Sequence, residues 1–312
     1  MSKVAVTGAS GFVGRALMAR LASGPHEAIA LVRTGATTGQ RLLPDLASLA
    51  AGAAHVDLAE IEVLVHCAAI TQSRKGMTET ERRHLVAVNA GATVALARQA
   101  LAAGVRRFVL VSSAKVNGET TPPGRPFCAN DVPAPQDHYA ETKLQAEQGL
   151  LAVASGTEIQ TVIIRPPLVY GPGVGGNFRQ LVKLAARGLP IPFGGVSNRR
   201  SMIAVDNLAD LIATAIDHPA AAGRILMACD GEDLSTPDLI ARLACLQAAP
   251  VRLPYVPPVV LTSLLALLGR RSIAERLLGS LQVEGESARQ LLGWTPPLTV
   301  DAALQKTVAS LR

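Results

Sequence analysis

Short, wholly apolar runs alternate along this chain with stretches whose apolar residues recur every three or four positions. Val4–Val6 is a β-branched run; a glycine-rich turn follows at Gly8–Gly14, and Arg15–Ala22 continues at helical spacing. Further apolar runs at Glu27–Val32, Val63–Val65, Phe108–Val111 and Thr161–Arg165 predict strands. Between them the spacing predicts long helices over about 79–103, stopped by Gly104, and over 139–154. Strands that are apolar throughout and separated by helices have both faces covered. The expected class is therefore α/β, with a doubly wound parallel sheet.

The texture changes after Arg165. Pro166-Pro167, Gly171-Pro172-Gly173 and Gly175-Gly176 break the alternation, and proline-rich joints recur to the end of the chain. Residues 1–165 are read as a dinucleotide-binding domain. Residues 166–312 are read mainly as a smaller C-terminal substrate-binding cap, with some segments returning to the sheet. The content of 49% hydrophobic and 17% charged residues suits a sizeable core and argues against disorder. Met1–Val6 runs straight into a strand, so no leader is expected. No apolar run nears the roughly 20 residues of a membrane span, and the expected setting is cytoplasmic without stable membrane insertion. The four cysteines are scattered, which supports neither a disulfide framework nor a zinc site. Arginine supplies 24 of the 30 basic residues behind the net charge of +6, but aromatics are only 3%. Without a clustered basic face or stacking rings, no nucleic-acid partner is expected.

The glycines carry the first chemical signal. Gly8, Gly11 and Gly14 are spaced G-x-x-G-x-x-G between a strand and a helix, and together with Phe12 and Val13 they are the candidate cofactor-binding residues of this turn. The first glycine allows the tight turn and the second the approach of a pyrophosphate. The third lets the helix pack closely on the strand, and the helix N-terminus then faces the anion. This is a Rossmann-type start. The second strand ends in Arg33, where a carboxylate would bind the ribose 2′-hydroxyl. An arginine suits a 2′-phosphate, so NADP(H) is the expected cofactor and NAD(H) the alternative.

Two further pieces carry reaction chemistry. Ser112-Ser113 follows the strand 108–111 at its C-terminal end, where such sheets place their sites. Tyr139 and Lys143 lie four residues apart on one helical face. A lysine beside a phenol favours the phenolate, letting tyrosine serve as acid or base near neutral pH. His66 has no second histidine at ligand spacing and is read as packing; no metal is expected. A serine hydrolase is excluded by the lack of a G-x-S-x-G elbow.

With these elements in place the chain resembles the extended short-chain dehydrogenases/reductases, in the epimerase/dehydratase group that includes the UDP-glucose 4-epimerases. The resemblance spans nearly the whole chain: the glycine motif, Asp57-Leu58, His66–Ala69, Val88-Asn89, Ser113, Tyr139/Lys143, Arg165–Gly173, Asn177-Phe178, Arg200–Asp206 and Leu292–Pro297. It implies Tyr139 as acid/base, Lys143 on the nicotinamide ribose and Ser113 on the reacting sugar oxygen. It places Asp57 and Leu58 beside the adenine and Ala68, Ala69 and Pro166 along the cofactor groove. Asn117, Asn177 and Arg200 would hold the UDP-sugar, with Asn89 a support behind the site. Many members carry tyrosine where this chain has Asn117; the run Ser113–Gly118 resembles a subgroup from bacterial polysaccharide synthesis that includes 4-keto reductases. The resemblance also implies a homodimer paired through segments 80–101 and 139–154.

A 4,6-dehydratase would need an acid and a base where this chain has Ala114 and Lys115. The expected reaction is reduction of a UDP-4-keto-6-deoxy-(N-acetyl)hexosamine, with a UDP-hexose 4-epimerase retaining NAD as the alternative. A non-catalytic dinucleotide sensor is the remaining reading; the intact tyrosine–lysine pair counts against it.

Overall fold

The structure, a computed structural model, describes all residues except 72–75, 268–276 and 312. Its centre is a seven-stranded sheet in the order β3-β2-β1-β4-β5-β6-β9, every pairing parallel. The strands are β1 (Lys3–Thr7), β2 (Glu27–Val32), β3 (Gln40–Leu42), β4 (Val63–His66), β5 (Arg107–Val111), β6 (Gln160–Arg165) and β9 (Arg224–Met227). β7 (Leu168–Tyr170) and β8 (Met202–Ala204) form a separate parallel pair.

Strand alternation explains the uninterrupted apolar runs. Val4, Val6, Val63, Val65, Val109, Val111, Val162 and Ile164 point to one face, where α1 (Phe12–Ala22) and α7 (Val205–Asp217) cover them. Ala5, Leu64, Phe108, Leu110 and Ile163 point to the other. There they meet α2 (Leu46–Ala50), α4 (Ala92–Ala102) and α5 (His138–Ala154). With both faces buried, every position wants an apolar side chain, and period-two alternation disappears.

The expected helix at 79–103 is present as a continuous Glu79–Ala102. It comprises α3 (Glu79–Val86), a π turn at Ala87–Gly91, and α4. Thr78 and Glu81 form a reciprocal capping box at its start. Among the described residues this helix is long and apolar enough to cross a membrane, which the count of uninterrupted apolar residues does not reveal. Half of its apolar window is buried inside the protein.

Past residue 166 the chain builds a second core around Tyr170, Phe178, Val182, Leu239 and Leu304. It is made by α6 (Gly176–Ala185), α8 (Thr236–Cys245), α9 (Pro258–Leu267) and α11 (Val300–Ala309), while α10 (Glu286–Leu292) packs with β9. The same half of the chain sends α7 and β9 back to the sheet. Arg107, 2% exposed, donates through Nη1 to the Ala215, Ile216 and His218 carbonyls at the C-terminal end of α7. The closing motif docks there too, with Trp294 Nε1 donating to Asp210 at 2.9 Å.

Register determines where the site falls. Thr7 pairs with His66, His66 with Leu110, and Val111 with Ile164. The C-terminal ends of β1, β4, β5 and β6 are thus level, and the loops after them open on one edge. Gly14 holds α1 against that edge, since a Cβ there would lie 2.0 Å from the Gly8 carbonyl oxygen. Gly14→Ala is expected to cost about 3 kcal/mol of stability because backbone must move. Gly175→Ala, where a Cβ meets nothing within 4 Å, should shift the urea midpoint little; equal midpoints for both variants would refute the close packing.

Candidate active site

The first turn of α1 is built to receive an anion. Gly11 is its N-cap and offers no side chain to the leading N–H groups, and no acidic residue stands in that turn. Those donors face the edge with the positive end of the helix dipole behind them. Gly8 adopts φ +66°, and a Cβ there would lie 2.8 Å from the Ala68 nitrogen. The β1 and β4 loops therefore touch, and Ala68 N–H donates to Thr7 Oγ1 at 3.3 Å. Ala68 and Ala69 are half-buried along this groove. The fit to a dinucleotide phosphate is good on these observations.

The flanking candidates occupy separate elements. Arg33 is exposed just past β2. Asp57 is exposed, 3.5 Å from Arg41, and its carboxylate accepts from Ala59 N–H, whereas Leu58 is buried in the core. Pro166 is buried, and its carbonyl accepts from Ala114 N–H at 2.9 Å, tying the end of β6 to the Ser113 turn.

Ser113 caps the short 3-10 turn Ala114–Val116. Asp137 caps α5 by accepting from Ala140 N–H at 2.7 Å, which places Tyr139 in the first turn and Lys143 one turn later. Ser113 hydrogen-bonds with the Tyr139 hydroxyl. The structure thus brings Ser113, Tyr139 and Lys143 to one edge. It does not give the expected low phenol pKa: burial, with the Asp137 carboxylate nearby, pushes Tyr139 up to about 12 against the opposing Ser113 bond. Burial also brings Lys143 down to about 8, opposed by Glu147 and Cys67. His66 falls to about 3, chiefly by burial, and is held by a 2.7 Å contact between Nδ1 and Thr7 Oγ1. It is a neutral packing residue.

Lys143 carries a stability signature. Its pKa is lower folded than unfolded, so the unfolded chain binds more protons between about 8 and 10.5. Burying it costs on the order of 3 kcal/mol near pH 7, a penalty relieved as pH rises through that window. Lys143→Met is expected to melt above the parent at pH 7, with the gap closing towards pH 10.5. A gap independent of pH would refute the depressed lysine.

Two networks behind the site are not visible in the motifs. Glu147, one turn beyond Lys143 on the same face, accepts from Ser112 Oγ, and from Arg165 Nε at 3.0 Å and Nη2 at 2.5 Å. Arg165 Nη1 also donates to Asn117 Oδ1, and Asn117 Nδ2 donates to the Cys128 carbonyl. Asn117, expected on the substrate, is 3% exposed with both ends of its amide committed inside the protein. The structure corrects that expectation: Asn117 supports Arg165. In the second network, Lys115 Nζ bridges Asp137 at 2.5 Å and Glu119 at 2.7 Å beside the start of α5. Glu147 has a sequence signal, its i+4 position after Lys143; the contact of Lys115 with Asp137 joins residues 22 apart and has none.

Asn89, in the π turn, exchanges both amide ends with Ile70 and donates to Thr142 at 3.0 Å, linking the β4 loop to α5. Asn177 is exposed in the first turn of α6. Arg200 is half-buried, bridges to Leu234 and Leu281, and donates to the Gly279 carbonyl.

Fold and site together define an extended nucleotide-dependent oxidoreductase of the short-chain type. Residues 4–228 match the model of the NAD dependent epimerase/dehydratase family, and the chain belongs to that family. It is 38% identical over 310 residues to a UDP-glucose 4-epimerase of Vibrio cholerae, covering 97% of this chain and 94% of that one. The fold superposes on UDP-glucose 4-epimerase of Thermotoga maritima bound to UDP-glucose, with TM-score 0.77, 19% identity and coverage of 99% and 98%. It superposes equally on RMD from Pseudomonas aeruginosa complexed with NADPH, with TM-score 0.76, 20% identity and coverage of 100% and 99%.

Proposed function

We propose that this enzyme reduces the 4-keto group of a UDP-linked 6-deoxy-(N-acetyl)hexose, with NADPH as the reductant. A nicotinamide dinucleotide, when bound, supplies the hydride for C4. The chain's own residues do the rest. The uncapped first turn of α1 holds the diphosphate, with Gly8 and Ala68 shaping the groove, and Lys143 holds the nicotinamide ribose. Ser113 orients the 4-oxygen, and Tyr139 delivers the proton to it. The phenol pushed up to about 12 stands protonated at neutral pH, the state a reductase needs before transfer. Asn177 and Arg200, from the cap, bind the UDP portion.

The observation that carries the reductase over the epimerase is Arg33, exposed at the end of β2 where no carboxylate stands. It suits a 2′-phosphate and hence a cofactor exchanged at every turnover. The second reading, a UDP-hexose 4-epimerase with retained NAD, is favoured by the 38% identical relative. Following NADPH absorbance after adding UDP-2-acetamido-4-keto-2,6-dideoxyhexose separates the two. Stoichiometric consumption supports the reductase; no consumption, with interconversion of UDP-GlcNAc or UDP-galactose epimers, supports the epimerase. Arg33→Ala is expected to raise the KM for NADPH about tenfold while leaving that for NADH unchanged. Equal effects on both would remove Arg33 as the 2′-phosphate contact. A homodimer paired through the outer faces of α3–α4 and α5 completes the proposal, and a monomeric mass in solution would refute it.

A further inference from the structure

No aspartate or glutamate stands between Glu158 and Asp206, or between Asp238 and Glu275. The fold lays parts of these two stretches against each other. Ile191 N–H donates to the Arg252 carbonyl at 2.9 Å, and Gly194 N–H to the Pro254 carbonyl at 3.2 Å. Gln247 Nε2 reaches the Val182 carbonyl at 3.1 Å, and a Cβ on Gly188 would lie 2.7 Å from the Pro250 ring. The exposed charges these segments bring to the joined region are Arg179, Lys183, Arg187 and Arg252, all cationic.

The same segments turn apolar side chains to water. Leu189, Val251, Val259 and Leu264 are about half exposed or more, Tyr255 is 74% exposed and Leu267 85%. Leu261, at 5%, anchors α9 to the cap core, so its outward residues are held out on a fixed support. Exposed apolar side chains and exposed cations on adjoining segments, with no acidic residue in either stretch, mark an interaction surface. Ten residues of helix rise about 15 Å, half the thickness of a bilayer core, so α9 cannot cross a membrane. Two copies meeting through this face would set like charges together.

We propose that this face of the cap docks on an anionic lipid bilayer. α9 and Tyr255 enter the headgroup boundary, and Arg179, Lys183, Arg187 and Arg252 meet lipid phosphates. The docking is peripheral and reversible, and it does not depend on which sugar the enzyme reduces.

The test is co-sedimentation of the full chain with vesicles of phosphatidylcholine alone and of equal parts phosphatidylcholine and phosphatidylglycerol. Partitioning is expected to be about tenfold stronger on the anionic vesicles. The triple variant Val259→Ser, Leu264→Ser, Leu267→Ser should lower it about tenfold. The double variant Arg187→Glu, Arg252→Glu should remove the preference for anionic lipid. All five positions are exposed, and unchanged thermal melts show that the variants fold. Absence of binding to anionic vesicles, or equal binding by parent and variants, overturns the proposal. So does a parent that ignores vesicles but loses oligomeric mass in the serine variant, which would make the face a contact between copies.

Discussion

Tyr139→Phe is expected to lower turnover about 10³-fold while leaving the fold and dinucleotide binding intact. The substitution removes one oxygen from a half-buried ring in the first turn of α5 and leaves the helix cap at Asp137 untouched. The hydroxyl hydrogen-bonds with Ser113, itself partly exposed and also bonded to Lys115 N–H, so its loss strands no deeply buried partner. Melting temperature should therefore change by no more than a few degrees. What disappears is the proton donor for the sugar 4-oxygen. Single-turnover kinetics with the keto sugar, beside fluorescence titration with NADPH, separates chemistry from binding. Turnover at the parental rate would remove Tyr139 from the acid/base role, and loss of NADPH binding alongside turnover would make it a structural residue. The sensor reading differs in the parent, which would bind NADPH without turnover and be unchanged by Tyr139→Phe.

The second large effect is on stability. Glu147 and Arg165 are a buried ion pair, their side chains 2% and 3% exposed, and they join α5 to β6. Ser112, from the end of β5, donates to the same carboxylate. Three elements carrying Ser113, Lys143 and Pro166 are thus fastened at one point. Glu147→Leu leaves a guanidinium buried without its counter-ion, at a cost of about 3–5 kcal/mol. For a chain of this length that lowers the melting temperature by roughly 5–8 °C. Adding Arg165→Met to Glu147→Leu should recover most of the loss, because no charge is then left unpaired. Circular dichroism melts of the two single variants and the double variant test this. Single variants melting with the parent would mean the pair contributes nothing to cohesion, and a double variant worse than either single would mean its geometry matters more than its charge.

Much of the architecture is legible in the sequence because it is local. A strand buried on both faces must be apolar at every position, so β1, β2, β4, β5 and β6 announce themselves. β3 does not: its three residues, Gln40–Leu42, lie at the sheet edge with an exposed or half-exposed pattern. β9 begins with exposed Arg224 and half-buried Ile225, so only its last two residues are buried and no long buried run marks it. The π turn is invisible for another reason. Asn89 within it is held by Ile70 and Thr142, partners 19 and 53 residues distant that local sequence does not show. Within the site, Gly8, Gly14, Tyr139 and Lys143 are readable because each acts through a local constraint of turn or helix spacing. Asn117 is misread because its type suits a sugar hydroxyl as well as an arginine, and only its neighbours decide between them.

The sequence alone therefore determines the sheet's apolar strands, the glycine turn that opens α1 to an anion, and the four-residue spacing of Tyr139 and Lys143. All of these follow from backbone geometry and periodicity within a few residues. Tertiary structure decides what those residues face. It levels the ends of β1, β4, β5 and β6, buries Lys143 and turns Asn117 inward to Arg165. It raises the Tyr139 phenol where helical spacing alone predicts the reverse. Proton affinity depends on desolvation and on charges from every element packed around a group, so helical spacing cannot supply it.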